Sequence, residues 1–272
     1  MAERNGVRDR VVLITGATSG IGLAAATALA GRGARLALVG RDPARTQAAA
    51  AQVATAAGGT RPELFLADLG SLAAVRRLAA DALERLPRID VLVNNAGVLF
   101  TQRKLNADGF ERTWATNHLA PFLLTTLLLD RLRTDAPSRI ITTSSVAHQG
   151  YQIPFDDLDA TARYGAMRRY GETKLANILF TRELARRLAG SGVTANCFHP
   201  GLVATNFARN NGGLAALAMT LLKPVARTPQ KGAETLVWLA DAPEVSAISG
   251  GYFVDRKQVQ PSAAACDDAA AR

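Results

Sequence analysis

Val11-Val12-Leu13-Ile14-Thr15-Gly16-Ala17-Thr18-Ser19-Gly20-Ile21-Gly22 is the stretch from which the rest of the chain is read. Its first four residues are apolar and three of them are β-branched, the pattern of a strand covered on both faces. Gly16, Gly20 and Gly22 follow, and an Ala- and Leu-rich stretch with helical period then runs over 21–31. Gly16 permits a tight turn without a Cβ. Gly20 and Gly22 let a pyrophosphate approach backbone N–H groups at the start of a helix. A glycine-rich loop alone could be a flexible connection. Placed directly after a first strand and opening a helix, it marks a dinucleotide site, here with the spacing G-x-x-x-G-x-G instead of the commoner G-x-G-x-x-G.

Outward from this stretch, short apolar runs alternate with helical patterns. Leu36–Val39, Leu64–Ala67, Ile89–Val93, Arg139–Thr143, Val193–Phe198 and Tyr252–Val254 read as further strands, and 44–57, 72–86, 107–133, 169–189 and 230–240 as further helices. Such alternation predicts an α/β fold: one doubly wound (Rossmann) parallel sheet of about seven strands with helices on both faces, spanning 1–272 as a single domain. Ligands of such sheets bind beyond the carboxyl ends of the strands.

Composition narrows the function classes. Of 272 residues, 48% are hydrophobic and 20% charged, which excludes a disordered or fibrous chain. The two cysteines, Cys197 and Cys266, cannot make a disulfide framework and point to a reducing compartment. None of the three histidines falls in an H-x-x-x-H pattern, so no metal site is expected, and His118, His148 and His199 read as structural. The richest apolar stretch, Leu119–Leu129, is too short for a membrane span, and Met1–Arg10 is too polar for a secretory signal. A cytoplasmic protein is expected. The net charge of +9 is spread along the chain, the pattern of a solvated basic surface and not of a nucleic-acid footprint, and part of the excess suits a phosphorylated cofactor.

Four motifs carry a resemblance. Thr15–Gly22, Asn94-Asn95-Ala96-Gly97, Tyr170-Gly171-Glu172-Thr173-Lys174 and His199-Pro200-Gly201 stand in the order and spacing of the short-chain dehydrogenase/reductase family. Trp114–Leu119 and Gly251-Tyr252-Phe253 further resemble its retinol-dehydrogenase-like branch. The resemblance covers roughly residues 10 to 255. It implies catalytic roles for Asn117, Ser145, Tyr170 and Lys174, with Ser144 as the fallback serine. It implies cofactor contacts from the loop residues Gly16, Thr18, Ser19, Gly20, Ile21 and Gly22, and from Asp68 and Leu69 after the third strand. Asn95, Ala96 and Gly97, the catalytic Tyr170 and Lys174, and Pro200, Gly201, Val203 and Thr205 complete that set. Relatives in this branch usually continue into a further C-terminal helix and often carry a membrane anchor, neither of which is expected here, so retinoid substrates are not assumed.

The chemistry can be checked against the residues. Tyr170 and Lys174 are four apart on a predicted helix and share a face. An ammonium about 5 Å from a phenol, at an effective dielectric of roughly 20, favours the tyrosinate by about 3 kcal/mol, or roughly 2 pKa units. Depression of the Tyr170 pKa is therefore expected. Ser144-Ser145 leaves the fifth strand where ligands dock, and a hydroxyl there can stabilise negative charge on a substrate oxygen. Pro121 has no N–H, so the carbonyl of Asn117 lacks its helical partner and needs another donor. Pro121 is accordingly expected to kink the helix, and the family places a water at this carbonyl that extends a proton path from the lysine.

Cofactor choice is read after the second strand, which ends Val39-Gly40-Arg41. Gly40 stands where the family's NAD-selecting acid would sit, and Arg41 suits a 2′-phosphate, so NADP(H) is favoured over NAD(H). Asp42-Pro43 reads as a helix N-cap with proline at the first helical position. The segment from Tyr151 to Met167 is expected to wall the substrate site, and 206–228 to form an apolar substrate lid. The expected function is an NADP(H)-dependent oxidoreductase moving hydride between nicotinamide and a carbonyl or alcohol carbon of a small hydrophobic substrate, as a homodimer or homotetramer. Reduction of a carbon–carbon double bond, epimerisation by the same residues, or non-catalytic nucleotide sensing are the alternatives.

Overall fold

The structure, a computed structural model, describes residues 6–203 and 226–272. Strands β1 (Val11–Thr15), β2 (Arg35–Gly40), β3 (Glu63–Leu66), β4 (Val91–Asn94), β5 (Ser138–Thr143), β6 (Val193–His199), β7 (Tyr252–Val254) and β8 (Lys257–Gln258) form one sheet in the order β3-β2-β1-β4-β5-β6-β7-β8. All neighbours are parallel except β7 and β8. Seven strands fall where the apolar runs predict them. The eighth carries no such signal: its turn residues Asp255 and Arg256 have left-handed φ of 49° and 63°. Asn-Gly or Gly-Gly usually announces that geometry, and neither is present.

The described helices are α1 (Gly20–Ala30), α2 (Pro43–Ala56), α3 (Leu72–Arg85), α4 (Arg112–Trp114), α5 (Ala120–Thr134), α6 (Ala166–Arg187), α7 (Pro229–Asp241) and α8 (Asp268–Ala271). They explain why the strands are apolar throughout. Val12 and Ile14 of β1 pack with Ala25 and Leu29 of α1 and Leu236 of α7 on one face of the sheet. Val11 and Leu13 pack with Leu78 of α3, Leu124 of α5 and Leu184 of α6 on the other. Alternate residues of one strand thus enter opposite cores, each buried Val, Leu or Ile contributing about 1.5–3 kcal/mol.

One predicted helix starts later than its sequence pattern. Residues 107–111 are a turn: Asn106 Oδ1 accepts from the N–H groups of Asp108 and Phe110, and Gly109 has φ of 87°. Glu111 then caps α4, its carboxylate accepting from Thr113 N at 2.8 Å and Trp114 N at 2.9 Å. A π-helical turn, Ala115–Leu119, joins α4 to α5. Among the described residues no helix is long and apolar enough to cross a membrane. Thr205 and positions 206–225 of the expected lid lie outside the described residues.

Candidate active site

The strand order reverses between β1 and β4, and the loops that leave these two strands meet at their carboxyl ends. That crevice is where doubly wound sheets bind ligands. Gly16 takes φ of 67°, and a Cβ there would lie 2.9 Å from Ala96 Cα. A Cβ on Gly22 would overlap the Gly16 carbonyl and the Asn95 side chain. The glycines therefore let α1 and the β4 exit close to backbone contact. α1 also differs from α2 and α3. Its Ncap, Ser19, makes no side-chain cap bond, whereas Asp42 caps α2 and Ser71 caps α3. The first N–H groups of α1 are left for a ligand, and an anion suits them. This cradle fits a dinucleotide.

A polar chain runs from this cradle to α6. Asn95 Nδ2 donates to the Thr15 carbonyl at 3.0 Å, and Asn95 Oδ1 accepts from Thr143 Oγ1 at 3.3 Å. The Thr143 carbonyl in turn accepts from Lys174 Nζ at 2.9 Å. Ala96 N donates to Thr15 Oγ1 at 3.1 Å. Three strand exits and the lysine are thereby fixed as one unit.

Tyr170 and Lys174 lie on one face of α6, with the ammonium 5.5 Å from the centre of the phenol ring. Tyr170 also has a side-chain hydrogen bond with Ser145. Ser144, the fallback serine, is buried and donates to the Lys174 carbonyl at 2.8 Å. Burial works against the expected pull of the ammonium on the tyrosine. Burial pushes the Tyr170 phenol up to about 12, against the pull of the Ser145 hydrogen bond. Burial likewise pushes Lys174 down to about 8. Spacing along the helix revealed the attraction between the two groups but not their shared desolvation, which disfavours both charged forms. In this environment burial favours the neutral phenol over its anion.

Asn117 lies in the π-helical turn and is fully buried. Its side chain clamps residue 98, accepting from Val98 N and donating to Val98 O, both at 2.8 Å. It also donates to Thr173 Oγ1 at 3.2 Å. The missing partner of its carbonyl is supplied by Asn177, whose Nδ2 donates at 2.9 Å. The donor expected from the proline spacing is therefore a side chain of α6. Pro121 follows the π-helical turn at the start of α5, in line with the expected distortion.

Near the second strand, a Cβ at Gly40 would overlap Thr46 Oγ1 and Thr18 Cγ2, so this position cannot hold an acid without repacking. Asp42 is engaged as the α2 cap, accepting from Arg45 N at 2.8 Å, while Arg41 is exposed. Asp68 holds its own turn by accepting from Gly70 N, and Ser71, not Asp68, caps α3. Leu69, Gly97, Pro200 and Gly201 are partly exposed and Val203 is buried.

Sequence reasoning missed the charges beside the tyrosine. Arg169 is 1% exposed and donates to Glu111 at 2.9 Å, to Glu172 at 3.2 Å and to the Leu158 carbonyl. Its guanidinium lies 4.5 Å from the centre of the Trp114 ring. This cluster ties the residue next to Tyr170 to the cap of α4 and to the 151–167 segment. Only the i,i+3 spacing of Arg169 and Glu172 hinted at it. The segment itself folds over the start of α6, with the Tyr151 ring against Gly171 and Tyr164 Oη donating to Phe100 O at 2.7 Å. An open cavity of about 830 Å³ lies between residues 150–154, Asp156, Arg168, Glu172 and 262–264, and Ser145, Tyr170 and Lys174 do not line it.

Comparison with known proteins agrees with this geometry. The family model of the short chain dehydrogenases matches residues 10–213. Retinol dehydrogenase 14 of Mus musculus is 43% identical over 280 residues, covering 98% of this chain and 84% of that protein. A candidate daunorubicin C-13 ketoreductase of Streptomyces sp. (strain C5) is 47% identical over 253 residues, covering 93% of this chain and 85% of that protein. The structure of a short chain dehydrogenase from Burkholderia cenocepacia J2315 in complex with NADP superimposes with a TM-score of 0.72 at 27% identity, covering 92% of this chain and 97% of that one. The chain belongs to the short-chain dehydrogenase/reductase family of oxidoreductases, in its retinol-dehydrogenase-like branch.

Proposed function

We propose that this oxidoreductase works as an NADPH-dependent carbonyl reductase on a small, hydrophobic ketone or aldehyde. The observation that carries the chemistry is the buried Tyr170 phenol, hydrogen-bonded with Ser145 and with the Lys174 ammonium lying 5.5 Å from its ring centre. Bound NADPH would supply hydride to the carbonyl carbon. The chain supplies the rest. Ser145 Oγ donates a hydrogen bond to the substrate oxygen, a type of contact worth about 10²–10³ in kcat. Tyr170 Oη gives that oxygen its proton as negative charge develops. Lys174 acts on the tyrosinate this leaves behind: with the ammonium 5.5 Å from the ring centre and an effective dielectric near 20, it stabilises the anion by about 3 kcal/mol. With a pKa near 8, the lysine is mostly charged at neutral pH. Burial thus sets the resting state and the ion pair helps the proton leave.

Preference for NADPH is supported by the crowding at Gly40, the engagement of Asp42 in its helix cap and the exposed Arg41. A hydrophobic substrate is supported by Val146 and Leu202, 48% and 51% exposed, directly after Ser145 and Gly201. The relatives' names, a retinol dehydrogenase and a candidate ketoreductase, fit alcohol–carbonyl chemistry.

The test is a cofactor-consumption screen over ketones and aldehydes, run with NADPH and with NADH on the native protein and on Tyr170→Phe. NADPH consumption by the native protein is expected, with a loss of about 10²–10⁴ in kcat in the variant and NADPH binding kept. Substantial turnover by Tyr170→Phe, or equal use of NADH, would contradict the respective part of the reading.

A further inference from the structure

His148 is buried three residues after Ser145, and both of its ring nitrogens are engaged. Nε2 lies 3.2 Å from the backbone N–H of Ser262, which can only donate. Nε2 is therefore the acceptor, and the proton of the neutral ring sits on Nδ1. Nδ1 lies 2.6 Å from the Ser145 carbonyl and donates to it, alongside the His148 backbone N–H at 3.2 Å. The other end of Ser145 is held as well, since its hydroxyl accepts from Ala147 N at 3.2 Å. Edge-on contact with Tyr252, ring centres 5.3 Å apart, fixes the imidazole plane.

What hangs on Nε2 is a whole segment. Ser262 opens a 3₁₀ turn, Ala263–Cys266, that leads into α8. Ala264, Ala265, Ala270 and Ala271 of this segment pack with Leu175, Ile178 and Leu179 of α6 and with Ile153. One imidazole therefore spans the C-terminal segment and the turn that presents the Ser145 hydroxyl.

We propose that His148 is a positioning residue that couples docking of residues 262–271 to the placement of Ser145, which rests on the reading of Ser145 given above. Three variants separate the two nitrogens. His148→Asn keeps a donor near the Nδ1 position and loses the reach to Ser262. His148→Gln keeps an acceptor near the Nε2 position and loses the bond to the Ser145 carbonyl. Ser262→Pro deletes the N–H together with a side-chain hydroxyl that is buried without a hydrogen-bond partner among the described residues, and Ser262 already has φ of −60°, the value proline imposes.

Amide exchange reads both ends without any substrate. Residues 263–271 are expected to lose protection in His148→Asn and Ser262→Pro and keep it in His148→Gln. The Ala147 amide, which reports the Ser145 hydroxyl, is expected to lose protection most in His148→Gln. In carbonyl reduction, kcat is expected to fall about tenfold in His148→Gln, the scale of one hydrogen bond, with KM for NADPH unchanged. It is expected to fall several-fold in Ser262→Pro through the loosened segment. Equal behaviour of the Asn and Gln variants, or a Ser262→Pro protein whose segment opens while Ala147 exchange and kcat stay native, would overturn the coupling. The two readings fail differently: if Ser145 does not serve reduction, Ala147 exchange still changes in His148→Gln while turnover does not, whereas if the coupling is wrong, Ser262→Pro leaves both Ala147 exchange and turnover native although its segment opens.

Discussion

Arg169 and Lys174 are two cations on the same helix, 1% and 2% exposed, and their surroundings have opposite character. Arg169 meets two carboxylates, a carbonyl and the face of an indole. Lys174 donates to the Thr143 carbonyl and lies by the Tyr170 ring, and no salt bridge to it occurs among the described residues. Burial of a compensated charge makes structure: the Arg169 cluster joins α4, α6 and Leu158. Burial of an uncompensated one leaves a group whose protonation is poised, with a pKa near 8 in place of 10.5. Perturbed groups of this kind cluster at functional sites.

The difference is open to direct attack. The largest effect on stability is expected from Arg169→Met. It strands Glu111, which is 0% exposed, and a broken buried pair costs about 3–5 kcal/mol. A fall in Tm on the order of 10 °C is expected in a calorimetric scan; a native Tm would mean that the cluster is not what joins these elements.

Lys174→Met is expected to do the reverse. Turnover should fall by at least about 10², yet Tm should hold or rise by about 2–4 °C at neutral pH. The sign follows from linkage. Between pH 8 and 10.5 the unfolded lysine keeps a proton that the folded one has released, so native stability rises with pH there. The advantage of Lys174→Met is therefore full below about pH 8 and gone by 10.5. An advantage that grows with pH across this window would show that burial does not burden the lysine.

The same contrast explains what was legible in the sequence. Strands such as Val11–Thr15 and the cradle around Gly16 and Gly22 are local: a run of apolar residues and a missing Cβ announce them. The Tyr170–Lys174 pair was legible because one helical turn sets its spacing. Its titration was not, because desolvation depends on what the fold lays over the pair. Glu111 and Arg169 lie 58 positions apart and meet only through the path of the chain between them. The late start of α4 turned on side-chain bonds from Asn106 and Glu111, which periodicity does not register. His148 gave no sign beyond being a lone histidine, since the group it holds is 114 positions away.

The central claim is that Tyr170 rests as a buried, neutral acid. An ultraviolet difference titration of the native protein against Tyr170→Phe tests it directly, from neutrality to about pH 10, the ordinary phenol value. No phenolate belonging to Tyr170 is expected over that range, since burial holds the group near 12. A Tyr170 phenolate appearing at or near neutrality would contradict the account and turn the residue from a proton donor into a base.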